Sequence, residues 1–336
     1  MLRWFDAHGR HDLPWQHPRN AYRVWIAEVM LQQTRVVTAV PYFLRFADTF
    51  ASLRALAAAP LDDVLALWSG LGYYSRARNL HRAAKICVQR HRGALPRDFD
   101  ALAVLPGIGR STAGAILAQA HGLRCAILDG NVKRVLARFH GVRGWPGTPA
   151  VSAQLWKFAQ IHTPRSRVAD YTQAIMDLGA SVCTRAKPRC ADCPLRHDCV
   201  AARDGHTAQL PQRKPARVLP LRKTVMLVLR DRGGRILLER RPPTGVWAQL
   251  WSLPEAADAA AAARGLGAGS TLRPLPPFTH TFSHFRLDVT PIAGTVAASA
   301  RIADAADRRW LHLHEASALG LPAPVRKLIE NLVEES

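Results

Sequence analysis

The sequence predicts a two-domain protein, an all-helical domain followed by an α+β domain. Three observations carry the prediction. The 336 residues exceed the roughly 100–200 expected of one domain, so two separate cores can be buried. Apolar residues recur at helical spacing as far as about Ala202, in Trp25-Ile26-Val29-Met30, Leu53-Leu56, Val64-Leu65-Trp68 and Ile116-Leu117. Beyond Thr224 the pattern changes to short apolar runs separated by turn residues.

The helical domain is expected over residues 1–202. Ala59-Pro60, Leu71-Gly72, Gly93 to Pro96, Pro106-Gly107 and Gly144 to Gly147 cut it into helices with brief connections. A linker is expected at 203–223, because Pro211 to Lys223 holds three prolines and five basic residues without an acid and cannot form a regular helix. The second domain then runs over 224–336. Thr224–Leu229, a turn at Asp231–Gly234 and Ile236–Arg240 read as a β-hairpin, Ala256–Ala263 as a short helix before a Gly-rich loop, and Val325–Val333 as a terminal helix. No repeat of fixed period is visible.

Forty-six Lys and Arg against 25 Asp and Glu give a net charge of +21, which attracts polyanions. Nucleic acid is the leading polyanion; an Arg-rich coding bias that leaves a basic surface without a partner stays open on charge alone. No run of about 18 apolar residues occurs and no basic amphipathic helix is evident, which argues against a membrane. The charged start from Met1 to Arg10 lacks the pattern of a secretory signal, so a cytoplasmic location is expected. In that compartment clustered thiols are metal ligands more often than disulfides.

Four motifs carry chemistry. Leu105-Pro-Gly-Ile-Gly-Arg-Ser-Thr-Ala-Gly-Ala-Ile116 feeds a glycine turn into an apolar helix, whose free amides and dipole suit a phosphate; an ordinary helix-turn-helix connection fits the bare pattern equally well. Cys183, Cys190, Cys193 and Cys199 fall within 17 residues and can surround one metal centre. Spacing alone leaves zinc and iron-sulfur both open, although only one Cys-x-x-Cys pair occurs. Cys87 and Cys125 stand apart and read as buried thiols. Glu28 lies in an apolar helical run with Val24 and Leu31 one turn to either side, where desolvation would raise its pKa and make it a general acid; a surface-helix glutamate is the bland alternative. Asp129 precedes a helix in Ile127-Leu-Asp-Gly-Asn-Val, where an N-cap would account for it.

Together these segments resemble the endonuclease III superfamily of helix-hairpin-helix DNA glycosylases, and within it the MutY-type adenine glycosylases. The resemblance implies a phosphate-holding hairpin at 105–116 with Gly107, Ile108 and Gly109, and one 4Fe-4S cluster on the loop 183–199, held by the four cysteines. It makes Glu28, in Glu-Val-Met-Leu-Gln-Gln-Thr, the proton donor to adenine N7 and Asp129 the carboxylate that stabilises the sugar cation. Trp15, Gln16, Leu31, Asn131 and Gln173 fall at adenine-pocket positions, while Gln32, Thr34, Tyr73 and Ser111 fall at DNA or lesion contacts. Relatives with lyase activity carry lysine where this chain has Ser111, so a monofunctional enzyme that leaves an abasic site is implied. The second domain resembles the Nudix-like domain that senses 8-oxoguanine, with Phe282, Ser283 and His284 as its recognition turn. The metal-binding glutamates of Nudix hydrolases are missing, which disfavours pyrophosphatase activity.

The expected partner is double-stranded DNA with adenine opposite 8-oxoguanine or guanine, bound by a monomer and, in a bacterium, on the nucleoid. Three other readings compete. A non-catalytic iron-sulfur DNA-binding protein would not need Glu28 and Asp129, a fused Nudix hydrolase would need its glutamates, and a thymine or uracil mismatch glycosylase would not need the Phe-Ser-His turn.

Overall fold

The computed structural model describes residues 1–215, 218–261, 272–296 and 307–334. Its helices are α1 (Leu2–His8), α2 (Ala21–Leu31), α3 (Val36–Thr49), α4 (Leu53–Ala58), α5 (Leu61–Leu67), α6 (Ser75–Arg90), α7 (Phe99–Ala103), α8 (Arg110–His121), α9 (Gly130–Phe139), α10 (Pro149–His162), α11 (Val168–Asp177) and α12 (Val200–Arg203). After the strands come α13 (Leu313–Ser317) and α14 (Ala323–Glu334). Contacts divide the chain into one unit of residues 1–58 and 79–216 and a second of residues 59–78 and 217–336.

The first unit is helical, as its apolar periodicity predicts. At its centre is α2, started by the Asn20 side chain accepting from the Arg23 amide at 2.9 Å. Val24, Trp25, Ile26, Ala27, Val29 and Met30 are buried, so α2 is apolar on nearly every side and packs against α8, itself buried from Ala113 to Gln119. A second cluster joins Val132, Val135 and Leu136 of α9 to Leu155 of α10 and Ile175 of α11. Among the described residues no helix is long and apolar enough to cross a membrane.

The second unit holds an eight-stranded mixed sheet. Its strands are β1 (Leu221–Arg230), β2 (Ile236–Arg240), β3 (Trp251–Ser252), β4 (Glu255–Ala256), β5 (Leu272–Pro274), β6 (Phe278–Thr281), β7 (Arg286–Thr295) and β8 (Arg308–Leu311). The main order is β3-β2-β1-β7-β5, with β4 on β1, β6 on β7 and β8 on β2. The expected hairpin is β1–β2, but the longest pairing is parallel, β1 with β7 from Leu221↔Arg286 to Arg230↔Thr295. β1 therefore starts three residues inside the segment expected to be linker, because β7 offers Arg222 and Lys223 backbone partners. Alternation splits β1 between two cores: Met226 and Val228 meet Val325 and Ile329 of α14, whereas Val225, Leu227 and Leu229 meet Ile292 and Val296. The expected helix at Ala256–Ala263 gives way to β4 at its start; helix begins at residue 259, and positions 262–271 lie outside the described residues.

The turn between α7 and α8 requires glycine at one point. Gly107 has φ of +79°, and a Cβ there would sit 2.9 Å from Cβ of Asn79. Gly107→Ala is expected to cost about 1–2 kcal/mol of stability from left-handed backbone strain alone, measured by urea denaturation.

Candidate active site

Glu28 and Asp129 come together in the first unit although a hundred residues separate them in sequence. Glu28 is the polar break in α2, and its Oε1 accepts from Nε2 of Gln119 on α8 at 2.9 Å. Burial pushes its carboxyl up to about 7, repulsion from Asp129 adds to that, and the Gln119 bond offsets a part. Asp129 caps α9: its Oδ1 accepts from the Val132 amide at 2.8 Å and its Oδ2 from Nδ2 of Asn131 at 3.3 Å. Burial raises this carboxyl too, but the Val132 and Asn131 donors and the Arg134 charge pull against it. The N-cap explanation of Asp129 is therefore correct, and it coexists with a position beside Glu28. The two neighbouring carboxyls differ in their donors: Glu28 has one side-chain donor, whereas several groups favour the charged form of Asp129.

The hairpin lies next to this pair. Gly109 is the N-cap of α8 and supplies no side-chain cap, so the first amides of α8 are left for an external acceptor. Ile108 is buried and anchors the turn, while a Cβ at Gly109 would meet nothing within 4 Å. Gln32, the C-cap of α2, reaches the hairpin with Nε2 3.5 Å from the Gly107 carbonyl and 3.4 Å from Oγ1 of Thr112. Thr34 is half-buried just beyond it. Ser111 turns inward, its Oγ accepting from the Leu128 amide at 2.9 Å, one residue before Asp129.

Of the expected pocket residues, Gln16 and Gln173 are joined through Arg10 and Asp177. Trp15 is buried with its ring edge-on to Phe43 at 5.4 Å, and Leu31 ends α2. Gln16 donates to the Arg10 carbonyl at 3.1 Å, and Gln173 donates to Oδ1 of Asp177 at 2.7 Å. Arg10 closes the chain, giving Asp177 its amide and Nε at 2.8 Å each and its Nη2 at 2.5 Å. Sequence reasoning missed Arg10, Asp177, Gln119 and Arg134. Asp177 was readable as the residue one helical turn after Gln173, and Arg134 as one turn after Asn131; Gln119 and Arg10 carried no local signal.

Arg134 ties this region to the cysteine loop. Its guanidinium donates to Oδ1 of Asn131 at 2.9 Å, the Gly179 carbonyl at 2.6 Å and the Cys183 carbonyl at 2.7 Å. Cys183, Cys190, Cys193 and Cys199 carry no disulfide and all line one small cavity of about 20 Å³, together with Val135, Leu178 and the buried Arg138. Arg138 donates to Sγ of Cys183 at 3.3 Å and to the Thr184, Arg185 and Leu210 carbonyls. Cys87 is fully buried, its thiol pushed up to about 11 by burial, whereas Cys125 is only half-buried.

In the second unit Tyr73, Phe282, Ser283 and His284 line a single cavity of about 700 Å³. The Phe282–His284 turn joins β6 to β7, closed by the Phe282 amide donating to the Phe285 carbonyl at 2.9 Å. Ser283 and His284 are exposed, and Tyr73 is half exposed.

A model of the HhH-GPD superfamily of base excision DNA repair proteins matches residues 26–160, and a NUDIX domain model matches residues 225–331. Fold and site thus define a helix-hairpin-helix DNA glycosylase, an enzyme of base excision repair, with a NUDIX-like domain after it. The solved structure of a thermostable thymine-DNA glycosylase covers 60% of this chain and 93% of its own, at 26% identity and a TM-score of 0.55. The adenine DNA glycosylase of Buchnera aphidicola subsp. Acyrthosiphon pisum is 36% identical over 98% of this chain and 96% of its own, and that of Homo sapiens is 35% identical over 85% of this chain and 64% of its own. The chain belongs to the adenine DNA glycosylase family.

The raised Glu28 carboxyl has a direct thermodynamic consequence. The unfolded chain releases this proton near the ordinary value of 4.5 while the folded chain keeps it to about 7, so stability falls as pH rises between those values. Glu28→Gln is expected to remove that slope in denaturant titrations. Gln119→Leu, by deleting a donor to the charged form, is expected to move the Glu28 midpoint above 7 in a carboxyl-carbon NMR titration.

Proposed function

We propose that the enzyme hydrolyses the N-glycosidic bond of adenine mispaired with 8-oxoguanine or guanine, as a monofunctional glycosylase that leaves an abasic site. The observation that carries the reading is the Glu28–Asp129 pair, one carboxyl on a buried apolar helix with a single side-chain donor and the other at a helix N-terminus with several donors. Glu28 protonates N7 of the flipped adenine, the C1′–N9 bond breaks with its electron pair going to the base, and Asp129 faces the positive charge that develops at C1′. Water then adds at C1′ and yields its proton to the Glu28 carboxylate. Trp15, Gln16, Leu31, Asn131 and Gln173 hold the base. Gln32 and Tyr73 fill the gap it leaves, Thr34 contacts the DNA, the hairpin 107–109 takes a phosphate, and Phe282, Ser283 and His284 meet the opposite base. Ser111 supports the monofunctional assignment, because its hydroxyl is engaged with the backbone and no amine stands there to attack C1′.

The four thiols of the cysteine loop line one cavity, carry no disulfide and include only one Cys-x-x-Cys pair, which supports one 4Fe-4S cluster over a lone zinc ion. Cys183, Cys190, Cys193 and Cys199 would be the ligands. Held by four thiolates, such a cluster would leave no open position and would organise the basic loop rather than take part in hydrolysis. On this reading the enzyme works as a monomer in the cytoplasm, on nucleoid DNA.

The expected single-turnover result is excision of adenine opposite 8-oxoguanine and guanine and none of thymine opposite guanine, with strand breakage only after alkali. Nicking at neutral pH would remove the monofunctional assignment. Glu28→Gln is expected to slow excision about 100- to 10,000-fold, and the wild-type rate to fall as pH rises past about 7, where the acid form is lost. Cys193→Ser is expected to lower bound iron and visible absorbance in the purified protein, and with them affinity for duplex DNA.

A further inference from the structure

The lesion-facing cavity of the second unit contains two residues that the proposed function leaves without a role, Trp247 and Arg78. Trp247 has φ of +55°, and Tyr73, on the same cavity, has φ of +49°. Bulky residues seldom occupy this left-handed region, and where they do the surrounding structure has to impose it. Here the imposition is visible. Gly245 and Gln249 also have positive φ, at 90° and 59°, so the segment turns sharply on both sides of Trp247. The Leu250 amide donates to the Trp247 carbonyl at 3.0 Å, and the Gln249 amide donates to the Arg241 and Pro242 carbonyls. Arg78, four residues into α6, donates from Nη1 to the Ala248 carbonyl at 2.7 Å.

Held in this way, the Trp247 indole meets the recognition turn from behind. Its centroid is 5.3 Å from the Phe282 ring and 5.6 Å from the His280 ring, and His280 is edge-on to Phe282 at 4.6 Å. Phe282 also stacks on Phe285 at 4.5 Å, at the other end of the turn. The Phe282–His284 turn has a single backbone hydrogen bond across it, so the aromatic contacts do much to fix where Ser283 and His284 point.

We infer that Trp247 is a positioning residue that braces the Phe282–Ser283–His284 turn and thereby sets the preference for 8-oxoguanine over guanine opposite the adenine. The inference rests on the reading of that turn as the lesion sensor. Arg78 acts one step further back, by holding the Trp247–Ala248 backbone. Neither residue touches the reacting atoms, so both leave the chemistry of Glu28 and Asp129 intact.

The test is the ratio of single-turnover excision rates on duplexes with adenine opposite 8-oxoguanine and opposite guanine, in the full-length protein. Trp247→Ala is expected to lower that ratio about two- to tenfold, the worth of one or two aromatic contacts, with the rate opposite guanine unchanged. Trp247→Phe should restore most of the ratio, and Arg78→Met should lower it by less than Trp247→Ala does. Ser283→Ala separates the two levels of the argument. If it leaves the ratio unchanged, the reading of the turn is wrong and the inference falls with it. If it collapses the ratio while Trp247→Ala does not, the turn is the sensor and the bracing role is wrong. Equal slowing on both duplexes would assign Trp247 to general packing and also overturn the inference. Should Trp247→Ala not fold, Trp247→Leu keeps apolar volume without a ring and is read by the same ratio.

Discussion

Placing two carboxyl groups side by side inside protein is the constraint on which the first unit depends. Each would be stable in water as an anion; together and desolvated, both cannot be. The helical unit resolves the conflict by unequal solvation. Asp129 is at a helix start, where amides point at it without any other element being needed, and Asn131 and Arg134 on the same helix add a donor and a positive charge. Glu28 sits on a helix that is apolar on nearly every side, and Gln119 is its one side-chain donor among the described hydrogen bonds. The asymmetry follows from element type, a helix N-terminus against the middle of a buried helix, and so it survives small movements of the side chains.

Much of the remaining unit keeps that asymmetry in place. Leu128, just before Asp129, is fixed by Ser111 at the head of α8, so the hairpin and the head of α9 share a hydrogen bond. Asn131 is fixed by Arg134, which also takes carbonyls from Gly179 and Cys183. Arg138, one turn further along α9, gathers the carbonyls of the segment after Cys183. A single helix therefore carries the Asp129 carboxyl at its start and, two turns later, the guanidinium that organises the cysteine loop. That loop is an irregular backbone whose carbonyls would otherwise be buried without donors, which is a physical reason for buried arginine there.

What the sequence allowed one to read depended on whether the deciding interaction was local. Helices, the β1–β2 hairpin and the Cys183–Cys199 loop were legible because periodicity, turn residues and ligand spacing are local properties. Asp129 was legible as a cap for the same reason. The parallel pairing of β1 with β7 was not, since the two strands lie more than fifty residues apart and neither encodes its partner. Glu28 is the instructive case: its α2 setting predicted a raised pKa, but Gln119 and Asp129, which tune it, are about a hundred residues distant. The alignment of residues 59–78 with the second unit was equally silent, because no change of composition marks it.

Chemistry and selectivity separate for a physical reason. On the proposed reading, a proton donor to N7 acts on whichever purine is presented to it, so the Glu28–Asp129 pair by itself carries no information about the base opposite. Donors and rings in the first unit can select adenine, but the partner base is not the one being cleaved. Selection of the partner has to be made by groups that meet it, and in the second unit the candidates are exposed on a short turn, where backbone order is weakest. An exposed serine and histidine discriminate only as well as they are aimed. On the inference drawn from Trp247, the positive-φ backbone at Tyr73 and Trp247 and the rings packed on Phe282 would stiffen that surface turn without burying it.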